Sequence, residues 1–140
     1  MWRRLRRLGV AHLGDGLVGL PHDARTREHL EWVAALVEEA GGAATLWRAQ
    51  TLSRVDERQV AGSMAAARAE EYADLASRAR DGLDGSAAAR RRVLRRLRSE
   101  LRTIQRRDYF PPPEHDLAAA AVDELAARSS DPAAAAGSSA

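Results

Sequence analysis

Four apolar side chains recur at helical spacing inside the most basic stretch of the chain, and this pattern constrains the fold more than any other feature. Successive spacings of three, four and three residues separate Leu94, Leu97, Leu101 and Ile104, and arginines fill most of the positions between them. Such spacing places the apolar side chains on one face of an α-helix, which must then be buried against a partner. The sequence therefore predicts a helix over residues 86–108 with most of its arginines on the exposed face.

A preceding helix is the natural partner for that apolar face. Ser53 and Asp56 have the spacing of a capping box, with aspartate in place of the usual glutamate, and the helix is predicted to run to about residue 80. Asp81-Gly82 then begins a turn, and so short a connection favours an antiparallel helix pair.

The rest of this half is shorter and simpler. Three consecutive prolines at positions 111–113 stop the second helix, and a short alanine-rich helix is predicted over residues 116–128. We assign residues 53–128 to one helical half, and we expect residues 129–140 to form a disordered tail.

The amino-terminal half combines helix and strand signals. Residues 2–8 have the apolar spacing of a short helix, and Gly9 follows at the position of a left-handed C-cap. Asp15-Gly16, between two short apolar runs, predicts a β-hairpin over residues 10–20.

A longer helix and a further strand are predicted after the hairpin. Asp23 or Thr26 can cap the helix, and paired glycines at positions 41 and 42 end it. Residues 43–50, with Trp47 near their centre, then predict a strand.

The order helix, strand, strand, helix, strand corresponds to a ferredoxin-like fold without its opening strand. The predicted fold class is therefore α+β: a ferredoxin-like αββαβ half over residues 1–52 with the opening strand missing, followed by the α-helical hairpin and the short C-terminal helix. The missing strand would lie inside the sheet, so its absence leaves two unpaired edges. We expect either that Met1 is not the natural boundary of the domain or that a partner strand, for example from a homo-oligomer, completes the sheet.

Composition excludes several classes of protein. The chain has no cysteine, which excludes disulfides, zinc–thiolate sites, iron–sulfur clusters and thiol redox chemistry. No run approaches the roughly 18 consecutive apolar residues of a membrane span. The arginine-rich amino terminus lacks the apolar core of a targeting signal, so we expect a cytoplasmic protein without a membrane partner.

Two arginine clusters are the candidate binding surfaces. All 22 basic residues are arginine, whose planar fork suits phosphates and other oxyanions. One cluster lies in the first helix, and the other has nine members between Arg90 and Arg107. The candidate residues for nucleic-acid or oxyanion binding are Arg3, Arg4, Arg6, Arg7, Arg91, Arg92, Arg95, Arg96, Arg98, Arg102 and Arg106.

The alternative interpretation of both clusters is structural. Arginines on a helix face are often simply solvated, and those of the second cluster can pair with the acids of the preceding helix. Exposed pairs of that kind contribute only about 0–1 kcal/mol each. The available acids are Asp56, Glu57, Glu70, Glu71, Asp74 and Asp81.

Catalytic and metal-binding patterns are weak. The four histidines, at positions 12, 22, 29 and 115, have no i, i+4 pair, and Ser53 and Ser63 lie in no nucleophile motif. We predict no metal, no cofactor and no enzymatic activity for this chain. Trp32 and Trp47 are interpreted as core or interface aromatics. Arg68 is interpreted as a helix-surface partner of a nearby glutamate, with a buried polar contact as the alternative.

Several segments, taken in order, carry a family resemblance. WRRLRRLG, a short strand, DG and LP open the chain, and EHLEWVAALVEEAGGAATLWRAQTLS follows at residues 28–53. The helical half adds Arg68 with Glu71-Tyr72 and the stretch Arg107-Asp108-Tyr109-Phe110. Together they resemble the N-terminal domain of ChrB-type chromate-resistance regulators, over roughly residues 2–127.

The resemblance implies a chromate-responsive regulator, encoded beside a chromate efflux pump and controlling its expression. In such proteins this half is thought to contact DNA, and a separate C-terminal domain is associated with chromate. The leading hypothesis is a DNA-binding regulatory module. The alternatives are a protein-interaction or dimerisation module, suggested by the open sheet edges and the seam from Leu94 to Ile104, and direct binding of chromate by arginines.

Overall fold

The structure is a computed structural model that describes residues 1–131. Within that range the chain forms five α-helices, one 3-10 turn and a two-stranded sheet. In order these are α1 (Trp2–Leu8), β1 (Ala11–Gly14), β2 (Leu17–Gly19), α2 (Ala24–Glu39), α3 (Arg54–Asp81), a 3-10 turn (Gly82–Asp84), α4 (Ala87–Arg106) and α5 (Glu114–Ser130). The expected mixture of helices with a small antiparallel sheet is confirmed.

Two compact units divide the chain, Met1–Met64 and Ala65–Ala140, and the boundary falls within α3. They are referred to below as the first unit and the second unit. Most of the tail that was expected to be disordered lies outside the described residues, and Ser129 and Ser130 belong to α5.

The hairpin of the first unit has the predicted turn. Residues 15 and 16 form its loop, and Gly16 adopts a φ of 75°, a left-handed conformation that glycine accepts without steric cost. β1 and β2 are antiparallel, with His12 opposite Val18 and Gly14 opposite Leu17. The register shifts between those two pairs, which leaves Leu13 as the extra residue of a β-bulge.

Local capping signals account for the helix boundaries of the first unit. Gly9, with a φ of 72°, ends α1 in the predicted left-handed cap. At the start of α2, the Asp23 carboxylate accepts from the Thr26 backbone N–H at 2.8 Å, and the Thr26 hydroxyl accepts from the Asp23 N–H at 3.0 Å. Because the backbone N–H of Thr26 stabilises the charged form, the pKa of Asp23 lies below its ordinary value.

The strand predicted over residues 43–50 is wrong. This segment has no regular secondary structure, and its side chains lie mostly in solvent, including Leu46 and Trp47. A strand needs a neighbouring backbone to pair with, and β1 and β2 pair only with each other among the described residues. The sheet therefore stops at two strands, and the ferredoxin-like arrangement is not completed in residues 1–131.

The tryptophans are not core residues. Trp32 on α2 is 54% exposed and Trp47 is 81% exposed. The buried side chains of the first unit are few and mostly small, and they comprise Leu5, Ala11, Thr26, Val33 and Met64.

The second unit has a continuous apolar core. α3, α4 and α5 all contribute to it: Tyr72, Leu75, Ala76, Ala79, Leu94, Leu97, Ile104, Ala118, Ala121, Val122 and Leu125. The predicted seam of α4 is therefore covered within the chain. Glu71 and Arg78, in order along α3, pair with Arg107 and Glu100, in reverse order, so α3 and α4 are antiparallel.

The turn between α3 and α4 is closely packed. A Cβ atom at Gly82 would lie 3.1 Å from Cγ1 of Val93 on α4 and 3.6 Å from Cδ1 of Leu125 on α5. Because glycine has no Cβ atom, the turn can pack closely against both helices. Ser86 begins α4, its hydroxyl accepting from the Ala89 backbone N–H at 3.2 Å. None of the helices in the described range has the length and apolar character that a membrane crossing requires.

Candidate nucleic-acid interface

Seven arginines of α4 share its solvent-exposed side. Five of them recur at spacings of four, three, four and four residues and are referred to as the front row: Arg91, Arg95, Arg98, Arg102 and Arg106. Two more are referred to as the side row: Arg92 and Arg96. With about 100° of rotation per residue, the two rows cover an arc of roughly 160° around the helix. We refer to these seven residues as the arginine arc.

The arc is long and contains no acid. From Arg91 to Arg106 it extends about 22 Å, at about 1.5 Å per residue. The other residues that the same rotation places within it, Ala88, Ser99 and Thr103, are small and uncharged. A planar or concave anion could therefore approach the helix without meeting a bulky or negative side chain.

Most arginines of the arc are free of partners. Arg96 lies 3.6 Å from Glu100 but keeps 80% of its side chain exposed, and Arg106 donates to the hydroxyl of Thr103 at 3.1 Å. Within residues 1–131 the side chains of the remaining five form no hydrogen bond or ion pair, and they are Arg91, Arg92, Arg95, Arg98 and Arg102. Pairing with the acids of α3, the alternative interpretation, therefore does not neutralise this surface.

Two arginines of the predicted cluster are structural. Arg90 is buried, and its guanidinium donates to the Gly85 carbonyl at 2.7 Å. Arg107 pairs with Glu71 of α3 and is only 18% exposed. The expectation that the cluster points outward is thus wrong for these two, because Arg90 lies on the buried face of α4 and Arg107 is the partly buried C-cap residue that follows the helix.

The single acid of α4 is engaged mainly by α3. Glu100 accepts two hydrogen bonds from Arg78 of α3, and Arg78 also pairs with Asp74 at 3.0 Å. Because Arg78 donates to the charged carboxylate, the pKa of Glu100 lies below its ordinary value of 4.5, and the pKa of Arg78 is raised. The charge of Glu100 is thereby engaged in joining α3 to α4.

A polar cluster closes the other end of the helix pair. The hydroxyl of fully buried Tyr72 donates to Asp108 at 2.8 Å, and Arg68 pairs with Glu71 at 3.0 Å. Arg68 and Glu71 both lie on α3, and their partly buried pair also contacts the residue after α4, because Glu71 pairs with Arg107 and Arg68 donates to the Arg107 carbonyl at 3.5 Å. Burial raises the pKa of Tyr72, with a further contribution from Asp108, and lowers the pKa of Arg68.

The first arginine cluster has a different setting. α1 exposes all four of its candidates, Arg3, Arg4, Arg6 and Arg7. The Arg4 guanidinium lies 5.1 Å from the ring centroid of Trp32 in a cation–π contact, so one of the four already has a structural role. This cluster belongs to the first unit and the arginine arc to the second.

The histidines do not form a metal site with the acids. In the part of the chain that the structure covers, no group of three histidine, aspartate or glutamate side chains could hold an ion. His115 instead packs edge-on against Tyr72, with 5.4 Å between ring centroids.

Sequence spacing could have identified Arg90 as buried. Arg90 precedes Leu94 by four residues and Leu97 by seven, so it continues the seam of α4. Spacing does not distinguish Arg107, which follows Ile104 by three residues, because exposed Arg91 and Arg98 lie three and four residues from Leu94. The partners of Arg90 and Arg107 could not have been found in this way, because they belong to a turn and to another helix.

Comparison with known proteins identifies the first part of the chain. The family model described as "Protein ChrB, N-terminal" matches residues 1–81, more than half of the sequence. No curated protein and no solved structure matches the chain. The matched residues end with α3, so α4, α5 and the stretch from Arg107 to Phe110 lie beyond them. The chain belongs to the family of ChrB N-terminal domains, which are associated with chromate resistance.

Proposed function

We propose that the chain is a DNA-binding regulatory module that controls the expression of a chromate-resistance operon in the cytoplasm. Membership of the ChrB family supports the connection to chromate, and the arginine arc supports the contact with DNA. The observation that carries the proposal is the five arginines of α4 that are exposed and have no acidic neighbour. Phosphates neutralised by such side chains release counterions, which makes binding favourable at low salt.

The module has no catalytic step in this proposal. It acts by occupying DNA, and chromate is sensed by a separate partner domain. The ferredoxin-like sheet belongs to the same proposal: a strand from a partner chain or a further segment pairs with the hairpin. The described hairpin, with unpaired outer edges, provides the surface for such pairing.

Fluorescence anisotropy tests the proposal directly. The probe is a labelled duplex from the region upstream of the gene that encodes this chain, and a scrambled duplex of equal length serves as control. We expect affinity for both to fall steeply between about 50 and 200 mM salt, and the upstream duplex to bind more tightly. Absent binding, or binding that salt does not weaken, would contradict the proposal.

A second candidate function is a protein-interaction or dimerisation module without nucleic-acid binding. The exposure of Trp32 and Trp47 in the first unit favours it, because aromatic side chains are enriched in protein–protein interfaces. The seam of α4 no longer favours it, because the core of the second unit covers that seam.

Light scattering of the intact chain tests this second candidate. It predicts a stable oligomer, and charge reversal at Arg95 and Arg96 should leave its function unchanged. A strictly monomeric chain would count against it. Calorimetry with chromate and with sulfate tests the further alternative, in which arginines bind chromate directly, and equal weak heats would contradict that alternative.

A further inference from the structure

We infer that α4 is a groove-reading helix that enters the major groove of duplex DNA, with the front and side rows contacting the phosphates of opposite strands. This inference rests on the proposed function and deepens it by naming the element and the form of the nucleic acid. It concerns residues beyond the part of the chain that matches the ChrB family model. The family match therefore does not assign it.

The arginine arc is wider than contact with a single phosphate backbone requires. A helix that lies along a single phosphate backbone contacts it through one narrow stripe of side chains. The front row alone, about 80° wide, would provide that stripe. The side row lies outside it: Arg92 is exposed and unpaired, and Arg96 keeps 80% of its side chain exposed although Glu100 lies 3.6 Å away. Two rows separated around the helix suit a site with negative charge on both sides.

The diameter of an α-helix matches the width of the major groove. An α-helix with its side chains is about 10–12 Å across, and the major groove of B-form DNA is about 12 Å wide. The arc extends about 22 Å along the helix, at about 1.5 Å per residue. Small residues within the arc, Ser99 and Thr103, leave room between the arginines for the edges of base pairs.

Arginine side chains can contact both phosphates and the edges of bases. Arginines at the edges of the arc neutralise phosphates, whereas those near its middle, such as Arg95 and Arg106, would face the floor of the groove. There an arginine donates two parallel hydrogen bonds to O6 and N7 of guanine, the commonest specific contact in the major groove. Duplexes with guanine-containing steps are therefore the favoured ligands.

The test measures salt dependence in matched variants of the full chain. Three charges at the outer edge of the front row are removed in R91Q/R98Q/R102Q, and both side-row charges in R92Q/R96Q. The controls, R58Q/R80Q/R128Q and R80Q/R128Q, remove equal charge at exposed positions outside α4. Circular dichroism establishes that each variant keeps its helices, which we expect because every substituted side chain is exposed.

We expect the slope of log affinity against log salt to become shallower by about three for the front-row variant and about two for the side-row variant. The loss of affinity between 50 and 200 mM salt then becomes about 40-fold smaller for the front-row variant. Each control should stay within about half a slope unit of the wild-type chain. An RNA duplex of the same sequence should bind at least about tenfold more weakly, because the major groove of A-form helices is too narrow for a helix.

The outcomes separate the inference from the proposed function. A slope that changes only with the front row, or equal affinity for RNA and DNA duplexes, would overturn docking in the major groove. If the wild-type chain binds DNA but neither row differs from its control, the inference fails and the proposed function stands. If the wild-type chain binds no duplex at any salt concentration, both fail together.

Discussion

The two units of this chain differ in how much apolar surface they bury. The second unit encloses eleven buried side chains from three helices in one core. Nine of the eleven exposed large apolar side chains in the described part of the protein belong to the first unit, among them Trp32, Trp47 and Leu52. Full burial of one such side chain contributes about 1.5–3 kcal/mol, so this difference bears directly on the stability of each unit.

The two units also differ in the kind of contact that fixes their structure. In the first unit, boundaries depend on local signals such as the cap at Gly9 and the capping box of Asp23 and Thr26. In the second unit, long-range contacts such as those of Tyr72 with Asp108 and Arg78 with Glu100 join elements far apart in the sequence. We therefore expect the second unit to be stable by itself and the first to gain stability from further contacts.

The largest expected effect comes from opening a cavity in the core of the second unit. Leu97, 1% exposed, packs among the three helices, and its replacement in Leu97→Ala should lower the free energy of unfolding by about 2–5 kcal/mol. The matched control Leu52→Ala removes the same atoms from a fully exposed position and should change it by less than about 0.5 kcal/mol. Urea denaturation followed by circular dichroism measures both. Equal effects would remove the contrast between the units.

A smaller loss is expected when the buried hydroxyl of Tyr72 is removed. Tyr72→Phe keeps the ring in the core but leaves the Asp108 carboxylate without its donor, which should cost about 1–3 kcal/mol. A double-mutant cycle with Asp108→Ala isolates the coupling between the two side chains. Additive effects would show that the hydrogen bond does not contribute to the stability of the second unit.

The hairpin of the first unit offers a comparison between two glycines. Gly16→Ala forces a side chain into a left-handed conformation and should destabilise the hairpin by about 1–2 kcal/mol. Gly14→Ala places a Cβ atom in open space at a position without that constraint, so it should have little effect. Amide hydrogen exchange of the hairpin residues distinguishes the two. Similar protection in both variants would contradict the assigned turn.

The smallest expected effect is a pH dependence from Glu100. The pKa of this carboxyl is lowered in the folded protein by Arg78, so the pair stabilises the fold above the ordinary pKa of 4.5. That contribution is lost as the pH falls from about 4.5 through the lower folded-state value. Glu100→Gln should therefore be less stable than the parent at pH 7, and the two should converge at acidic pH. A constant difference between pH 7 and pH 3 would exclude this origin.

Sequence reasoning was most successful where the structure of a segment depends on residues close to it in the sequence. The turn at Gly16, the caps at Gly9 and Asp23, and the seam of α4 were all predicted because each depends on local stereochemistry or helical periodicity. The resemblance over the first half of the chain agrees with the family match over residues 1–81.

Sequence reasoning was least successful where the structure of a segment depends on contacts with residues distant in the sequence. Residues 43–50 have apolar and aromatic side chains typical of a strand, but no described backbone pairs with them. Arg90 and Arg107 were grouped with exposed arginines because their charge suggested solvent. Their long side chains instead bury the stem and carry the guanidinium to the Gly85 carbonyl and to Glu71.

The exposed stretch of residues 42–53 has a practical consequence for handling this protein. It contains Arg48 in a segment without helix or strand, whereas most other arginines of the described chain lie in helices, which resist proteolysis. Brief digestion with trypsin should cut there first. The resulting fragment from residue 49 onward retains α3, α4 and α5 intact, and with them every guanidinium group proposed to enter the groove.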